Sequence, residues 1–486
     1  MLKLFKDISI YSLGNILSAF ASFLLLPIYT TILTPSDYGV LELLNLIAAF
    51  LGILFGLIVS NGYGRIYFDT DNADYRKKLY ATGQIFTLFC AVTFTIMIFT
   101  NADWFSRVIL NANVGKLPLL LITVSTIFFV LIKIPLANLQ IRQLPKQYIS
   151  VSLAGFLLTV SATIIFVVFY RLGVYGVLYG QLVGNVLQFI FLSIYSRKQY
   201  KIGFSFVQLS LMLSFSVFLI PANLSSLILN MSNRWFLQEY QTIDDVGLFS
   251  LGAKFASIIP MLFTEPVKQA FSPFIYEQID NPAKLKKTLS DFSRIFFIGL
   301  SVVVLGISLL TREAIIIIAD KSFYGSQNVT FILSISFLFL GLAGIIVQGI
   351  QIVKKTWIIT IIWVFSASVN IVLNFLLVPN YGRMGAATAT MISVIIICIC
   401  YFIAVAKVYP VKFNYSSFIL ILLLAIVFNY AGSFINFGVI ISIFIKLLLI
   451  GGYIWSLFLL KIVTNDEIQF LKELIKKIKN KKTLSK

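Results

Sequence analysis

Fourteen apolar runs, each of roughly 20 residues or more, can cross a hydrocarbon core of about 30 Å, and they leave this chain lipid as its main solvent. They fall at 7–33, 38–61, 80–100, 117–139, 148–170 and 175–196 in the first half. In the second half they fall at 209–236, 246–275, 289–310, 326–350, 357–378, 384–406, 415–435 and 438–462. Backbone groups in lipid must be satisfied within each segment, so the runs are expected to be helices. The expectation is an all-α integral membrane protein of about 14 transmembrane helices. Composition agrees, because only 12% of residues are charged and 59% are hydrophobic. A water-soluble domain carries about a quarter of its residues as charges.

The net charge of +19 suggests nucleic acid at first sight, but the basic residues are dispersed between apolar runs and form no soluble face. Their placement carries different information. With the N-terminus on the cytoplasmic side, the cytoplasmic loops and ends hold 27 Lys or Arg and the opposite loops hold 6. That asymmetry is expected of a multi-pass membrane protein with both termini on the cytoplasmic side. The basic start, Met1 to Lys6, runs straight into an apolar stretch with no cleavage site, so it is expected to open the first span. Cys90, Cys398 and Cys400 all lie in apolar runs, and no histidine exists to complete a metal site. No cofactor is expected, and proton coupling would have to use carboxylates. No Walker-type phosphate loop is present, which argues against an ATP-driven machine.

The chain also repeats itself faintly. Pro35-Ser-Asp-Tyr-Gly-Val40 opens the second span and Ile243-Asp-Asp-Val-Gly-Leu248 opens the eighth, pairing Asp37 with Asp245 and Gly39 with Gly247 at an offset of 208. Gly173 and Gly176 pair with Gly382 and Gly385 at an offset of 209. Six helices separate the copies, so both share one orientation, as in transporters built of two parallel lobes. The expected organisation is an N-lobe over 1–205, a C-lobe over 206–411, two appended helices over 412–463, and a basic tail over 464–486. In that tail, Ile468, Leu471, Ile475 and Ile478 keep helical spacing. It reads as an amphipathic helix on an anionic surface or as a solvated basic tail.

Fourteen spans arranged as six, six and two, with an acidic-x-Gly turn opening spans two and eight, resemble the multidrug/oligosaccharidyl-lipid/polysaccharide (MOP) exporter superfamily. Leu33-Thr-Pro-Ser-Asp-Tyr-Gly-Val40 and Asn233-Arg-Trp-Phe236 followed by Val246-Gly-Leu-Phe-Ser250 resemble its polysaccharide-exporter branch. Asn233 departs from the acid that relatives commonly carry. The resemblance implies a Wzx-type flippase, not an enzyme, that moves undecaprenyl-pyrophosphate-linked oligosaccharide repeat units between leaflets for surface polysaccharide synthesis. Its partners would be the bilayer, the lipid-linked oligosaccharide, and assembly proteins such as a polysaccharide polymerase.

Charges inside the spans are candidates for the site, since an ionisable group in lipid normally faces a partner or a wet cavity. Lys254, Glu265 and Lys268 share one face of span eight, where Pro260 and Pro266 are expected to bend the helix. Asn223, Asn230 and Arg234 share a face of span seven, and Glu42, Arg65 and Lys133 come from spans two and four. Substrate contacts are assigned to Lys254, Arg234, Lys268, Lys133, Arg65 and Asn230. The surplus of cations suits a pyrophosphate or an acidic sugar and repels lipophilic cations. Glu42 and Glu265 are the candidates for coupling to protons or sodium. Bland readings stand beside these: Glu265 and Lys268 can neutralise each other, and Arg65, Lys133 and Arg234 can snorkel to headgroups. Asn15, Ser18 and Ser22 form a milder polar stripe on span one, and Lys446 in span fourteen has no assigned role. The rival functions are a multidrug or cation antiporter of the same superfamily and a peptidoglycan-precursor flippase. A membrane glycosyltransferase or polymerase is disfavoured, because no loop is long enough to house its catalytic domain.

Overall fold

A computed structural model describes residues 25–67, 72–110, 115–142, 144–197, 203–217, 220–276, 281–353, 355, 357–435, 437–460 and 462. The polar stripe expected at Asn15, Ser18 and Ser22 and the tail over 464–486 lie outside the described residues. Among the described residues every regular element is a helix. Among these residues, eleven helices are long and apolar enough to cross a membrane. One of these, Trp357–Val408, is two spans joined across a non-helical Gly382, matching the runs at 357–378 and 384–406. The described residues of the run at 209–236 lie on Phe206–Ser216 and Ile220–Tyr240. The protein is a multi-pass membrane protein.

Two compact units divide between Gly247 and Leu248, so the helix Ile220–Tyr240 packs with the first. In the first unit the second span begins at a capping box. Thr34 accepts from Asp37 N at 3.1 Å, and Asp37 accepts from Thr34 N at 3.1 Å, with Pro35 in the first turn. The Thr242 hydroxyl accepts from Asp245 N at 3.1 Å and donates to the Asp245 carboxylate at 2.7 Å. The repeat at offset 208 therefore extends to the capping threonines. The two turns also touch. A Cβ on Gly39 would overlap the Ile243 carbonyl oxygen, and one on Gly247 would overlap the Pro35 carbonyl oxygen. Backbone cannot yield as a side chain can, so Gly39→Ala should destabilise the protein by about 1–3 kcal/mol, read as a lower detergent-solubilised melting temperature.

The second repeat match has equally specific geometry. Gly173 and Gly382 both open a helix with positive φ, 54° and 50°, a conformation open to glycine at little cost. Three residues later, Gly176 lies against the Phe166 backbone and Gly385 against the Leu377 backbone. Small residues then recur every fourth position, Gly176, Gly180 and Gly184 in one copy and Gly385, Ala389 and Ser393 in the other. Small side chains at this spacing let membrane helices pack backbone to backbone. Gly180 and Gly184 meet Thr163 and Thr159, and Ser393 O accepts from Ser366 Oγ at 2.7 Å.

In the second unit the helix Pro282–Ile318 has 37 residues, about 55 Å at 1.5 Å per residue. It outlasts the run at 289–310 at both ends, which corrects that boundary and brings Glu313 inside the helix. The reason is local: the apolar residues Ala314-Ile-Ile-Ile-Ile318 continue the helix past the charged pair Arg312-Glu313. The two appended helices, Tyr415–Ser433 and Val439–Leu459, pack against it, with the Ser301 and Tyr453 hydroxyls 2.8 Å apart.

Candidate functional site

The first unit joins two residues that sequence spacing left apart. Glu42 stands two turns into the helix Pro35–Gly52, and Arg234 stands on Ile220–Tyr240. The guanidinium reaches the carboxylate through Nε and through a second nitrogen, each 3.2 Å from Oε2. The side chains are only 11% and 16% exposed. Burial weakens solvent screening, so the attraction is far stronger than on a wet surface. Both nitrogens converge on one oxygen, in contrast to the two-oxygen fork that makes the strongest Arg–carboxylate pairs. Lys133 is half-buried on Lys133–Ile141, its ammonium 4.0 Å from the centre of the Phe129 ring. A ring face holds a cation by its quadrupole without neutralising it. Arg65 and Asn230 lie on the helices Ile58–Ile66 and Ile220–Tyr240, and only their backbone is described.

The second unit holds the other charges. Its helix Ile243–Ala256, which begins in the first unit's last residues, carries half-buried Lys254 in its final turn. A five-residue π-helical turn, Pro260–Thr264, follows at the expected proline and leads into Glu265–Tyr276. Proline removes one ladder hydrogen bond and displaces the preceding turn, which accounts for the break. Lys268 Nζ lies 2.9 Å from Glu265 Oε1, three residues away on the same helix. The lysine stem runs over Gly344, where a Cβ would overlap Lys268 Cε. Because the colliding group is the end of a flexible chain, Gly344→Ala should move the ammonium and leave the fold intact. An export assay should then show the same defect as Lys268→Gln, with an unchanged melting temperature.

Sequence reading left a deeply buried ion pair out altogether. Lys446 Nζ lies 2.7 and 2.8 Å from the two carboxylate oxygens of Glu313, with side chains 4% and 1% exposed, and Arg312 approaches the same carboxylate at 3.4 Å. Lys446 thus has a partner 133 positions away. No spacing rule connects them. Among the described residues, no group of three or more His, Cys, Asp or Glu could hold a metal.

With this geometry in view, a family of polysaccharide biosynthesis proteins matches residues 28–298, more than half of the chain. The chain belongs to this family. No curated protein matches it by sequence. Among solved structures, the lipid II flippase MurJ in an inward closed conformation superposes with a TM-score of 0.72 at 16% identity. That match covers 93% of this chain and 96% of MurJ. An inward-facing multidrug-resistance MATE transporter of the MOP superfamily gives 0.64 at 14% identity, over 84% and 98% of the two chains. An outward-facing MATE transporter of the same superfamily gives 0.55 at 15%, over 84% and 97%. This polysaccharide biosynthesis protein thus has the all-helical fold of MOP superfamily transporters, as the resemblance implied.

Proposed function

We propose that this polysaccharide biosynthesis family member is a flippase that carries a lipid-linked oligosaccharide with a pyrophosphate linkage, of the undecaprenyl type, from the inner to the outer leaflet by alternating access. The observation that supports it most is the buried pairing of Glu42 with Arg234 in the first unit, in a chain whose spans carry more cations than acids. A pyrophosphate offers several anionic oxygens and can compete with Glu42, which meets the guanidinium through a single oxygen. Glu42, once displaced, is a buried carboxylate whose charge becomes costly, and proton or sodium uptake there would relieve it. Lys133 in the same unit would supply a further point charge to the anionic linkage, and Lys254 and Lys268 in the second unit are substrate candidates on their intramembrane charge alone. Asn230 lies one turn before Arg234 on the same helix, and it and Arg65 would add polar contacts. Glu265, paired with Lys268, is the second carboxylate able to exchange partners. The setting is a bacterial inner membrane with cytoplasmic termini, alongside enzymes that build and polymerise the saccharide.

Deletion of the gene should cause lipid-linked oligosaccharide to accumulate on the inner leaflet, with loss of surface polysaccharide. Normal surface polysaccharide in the deletion strain, together with raised sensitivity to lipophilic cations, would instead assign the protein to drug extrusion.

A further inference from the structure

A second cluster of cations lies in the second unit, on the side of the membrane where the sequence concentrates its Lys and Arg. A cavity of about 560 Å³ opens between the third and fourth turns of Pro282–Ile318 and the loop that leads into Tyr415–Ser433. Among the described residues, Arg294, Lys412 and Asp291 are the charged groups that line it. Hydrogen bonds fix its walls. Ser290 Oγ donates to the Lys412 carbonyl at 2.6 Å, and the Arg294 guanidinium donates to the Ile462 carbonyl. Asn414 and the first turn of Tyr415–Ser433 close another side, so the positive end of that helix adds to the two cations.

The remaining lining is aromatic. Phe413 is buried, its ring 5.0 Å from Phe402 and 6.4 Å from Tyr415, while Tyr415 is exposed. Lys286 lies 5.1 Å from the centre of the Tyr409 ring nearby. Aromatic rings beside basic residues are common at the membrane–water interface, and the inner leaflet supplies anionic headgroups there. We infer that this cavity binds the phosphodiester headgroup of an anionic phospholipid, with Arg294 and Lys412 holding the phosphate and the Phe413–Tyr415 rings meeting the glycerol and first methylenes. The site involves none of the charges assigned to the transported substrate and stands independently of that reading.

The chemistry recognised is an organic phosphate, which a soluble pyrophosphate also presents, and the test separates the two. The full-length protein is reconstituted in vesicles of equimolar phosphatidylglycerol and phosphatidylcholine, extracted in mild detergent, and its retained lipids are counted by native mass spectrometry. Phosphatidylglycerol should be retained in preference, and Lys412→Gln should lower that preference about fivefold. Ser416→Glu, at an exposed position, should lower it comparably, which keeps the test open if one variant folds poorly. Equal preference in the wild type and both variants overturns the site. Complete displacement of the lipid by millimolar inorganic pyrophosphate overturns its assignment to a lipid.

Discussion

Replacing Lys446 with Met will destabilise the protein by about 3–5 kcal/mol, and Glu313→Leu will do the same, while the double variant will regain most of the loss. The two charges contact at 2.7 and 2.8 Å with almost no solvent exposure. Removing one partner strands the other in a medium that cannot solvate it, whereas removing both leaves two apolar side chains of similar length. Their place explains why such a pair is useful. Lys446 lies on the last helix and Glu313 on the long helix that the appended pair packs against. Apolar helix faces slide past one another in lipid at little cost, because the lipid tails are equally apolar. One buried ion pair fixes register and orientation together. Thermal unfolding in detergent of both single variants and the double checks this. Additive losses, with the double variant the least stable of all, would mean that the charges act separately.

Removing the guanidinium of Arg234 is the second large effect. Arg234→Gln should lower export at least tenfold to a hundredfold, the equivalent of losing one charge-assisted contact of about 1.5–3 kcal/mol to a buried anion. Arg234→Lys should retain part of the activity, since a point charge still attracts phosphate without the planar donors. Exchanging the charges, Glu42→Arg with Arg234→Glu, keeps the ion pair and should preserve stability. It moves the cation to the other helix, so export should remain lost. That separation of fold from function distinguishes a substrate-binding arginine from a merely structural one. Surface polysaccharide measured in complemented deletion strains provides the readout, normalised to protein in the membrane.

Much of this architecture was legible in the chain itself, because lipid imposes a simple rule on length and polarity. Every apolar run that falls within the described residues corresponds to one or more helices, and the glycine and capping positions of the repeat coincide with turns of matching geometry. Those signals are local: an N-cap, a positive φ, a small residue every fourth position. The site was less legible because its pairings are not local. Glu42 and Arg234 are 192 positions apart, and Glu313 and Lys446 are 133 apart. Spacing on one helix could suggest Glu265 with Lys268, but it could not choose partners across helices. Glu313 escaped notice for a second reason. Beside Arg312 it reads as the polar end of a span, while the helix in fact continues to Ile318. A signal was present, since Lys446 in an otherwise apolar helix required a buried acid somewhere.

The central claim is that the intramembrane cations serve an anionic lipid-linked substrate, and reconstitution tests it most directly. Purified protein in vesicles loaded on one leaflet with a pyrophosphate-linked prenyl oligosaccharide should expose that lipid on the opposite leaflet. The rate should fall at least tenfold for Arg234→Gln. A rate in the Arg234→Gln vesicles equal to wild type, or movement of lipophilic cations in place of the lipid-linked saccharide, would contradict the account.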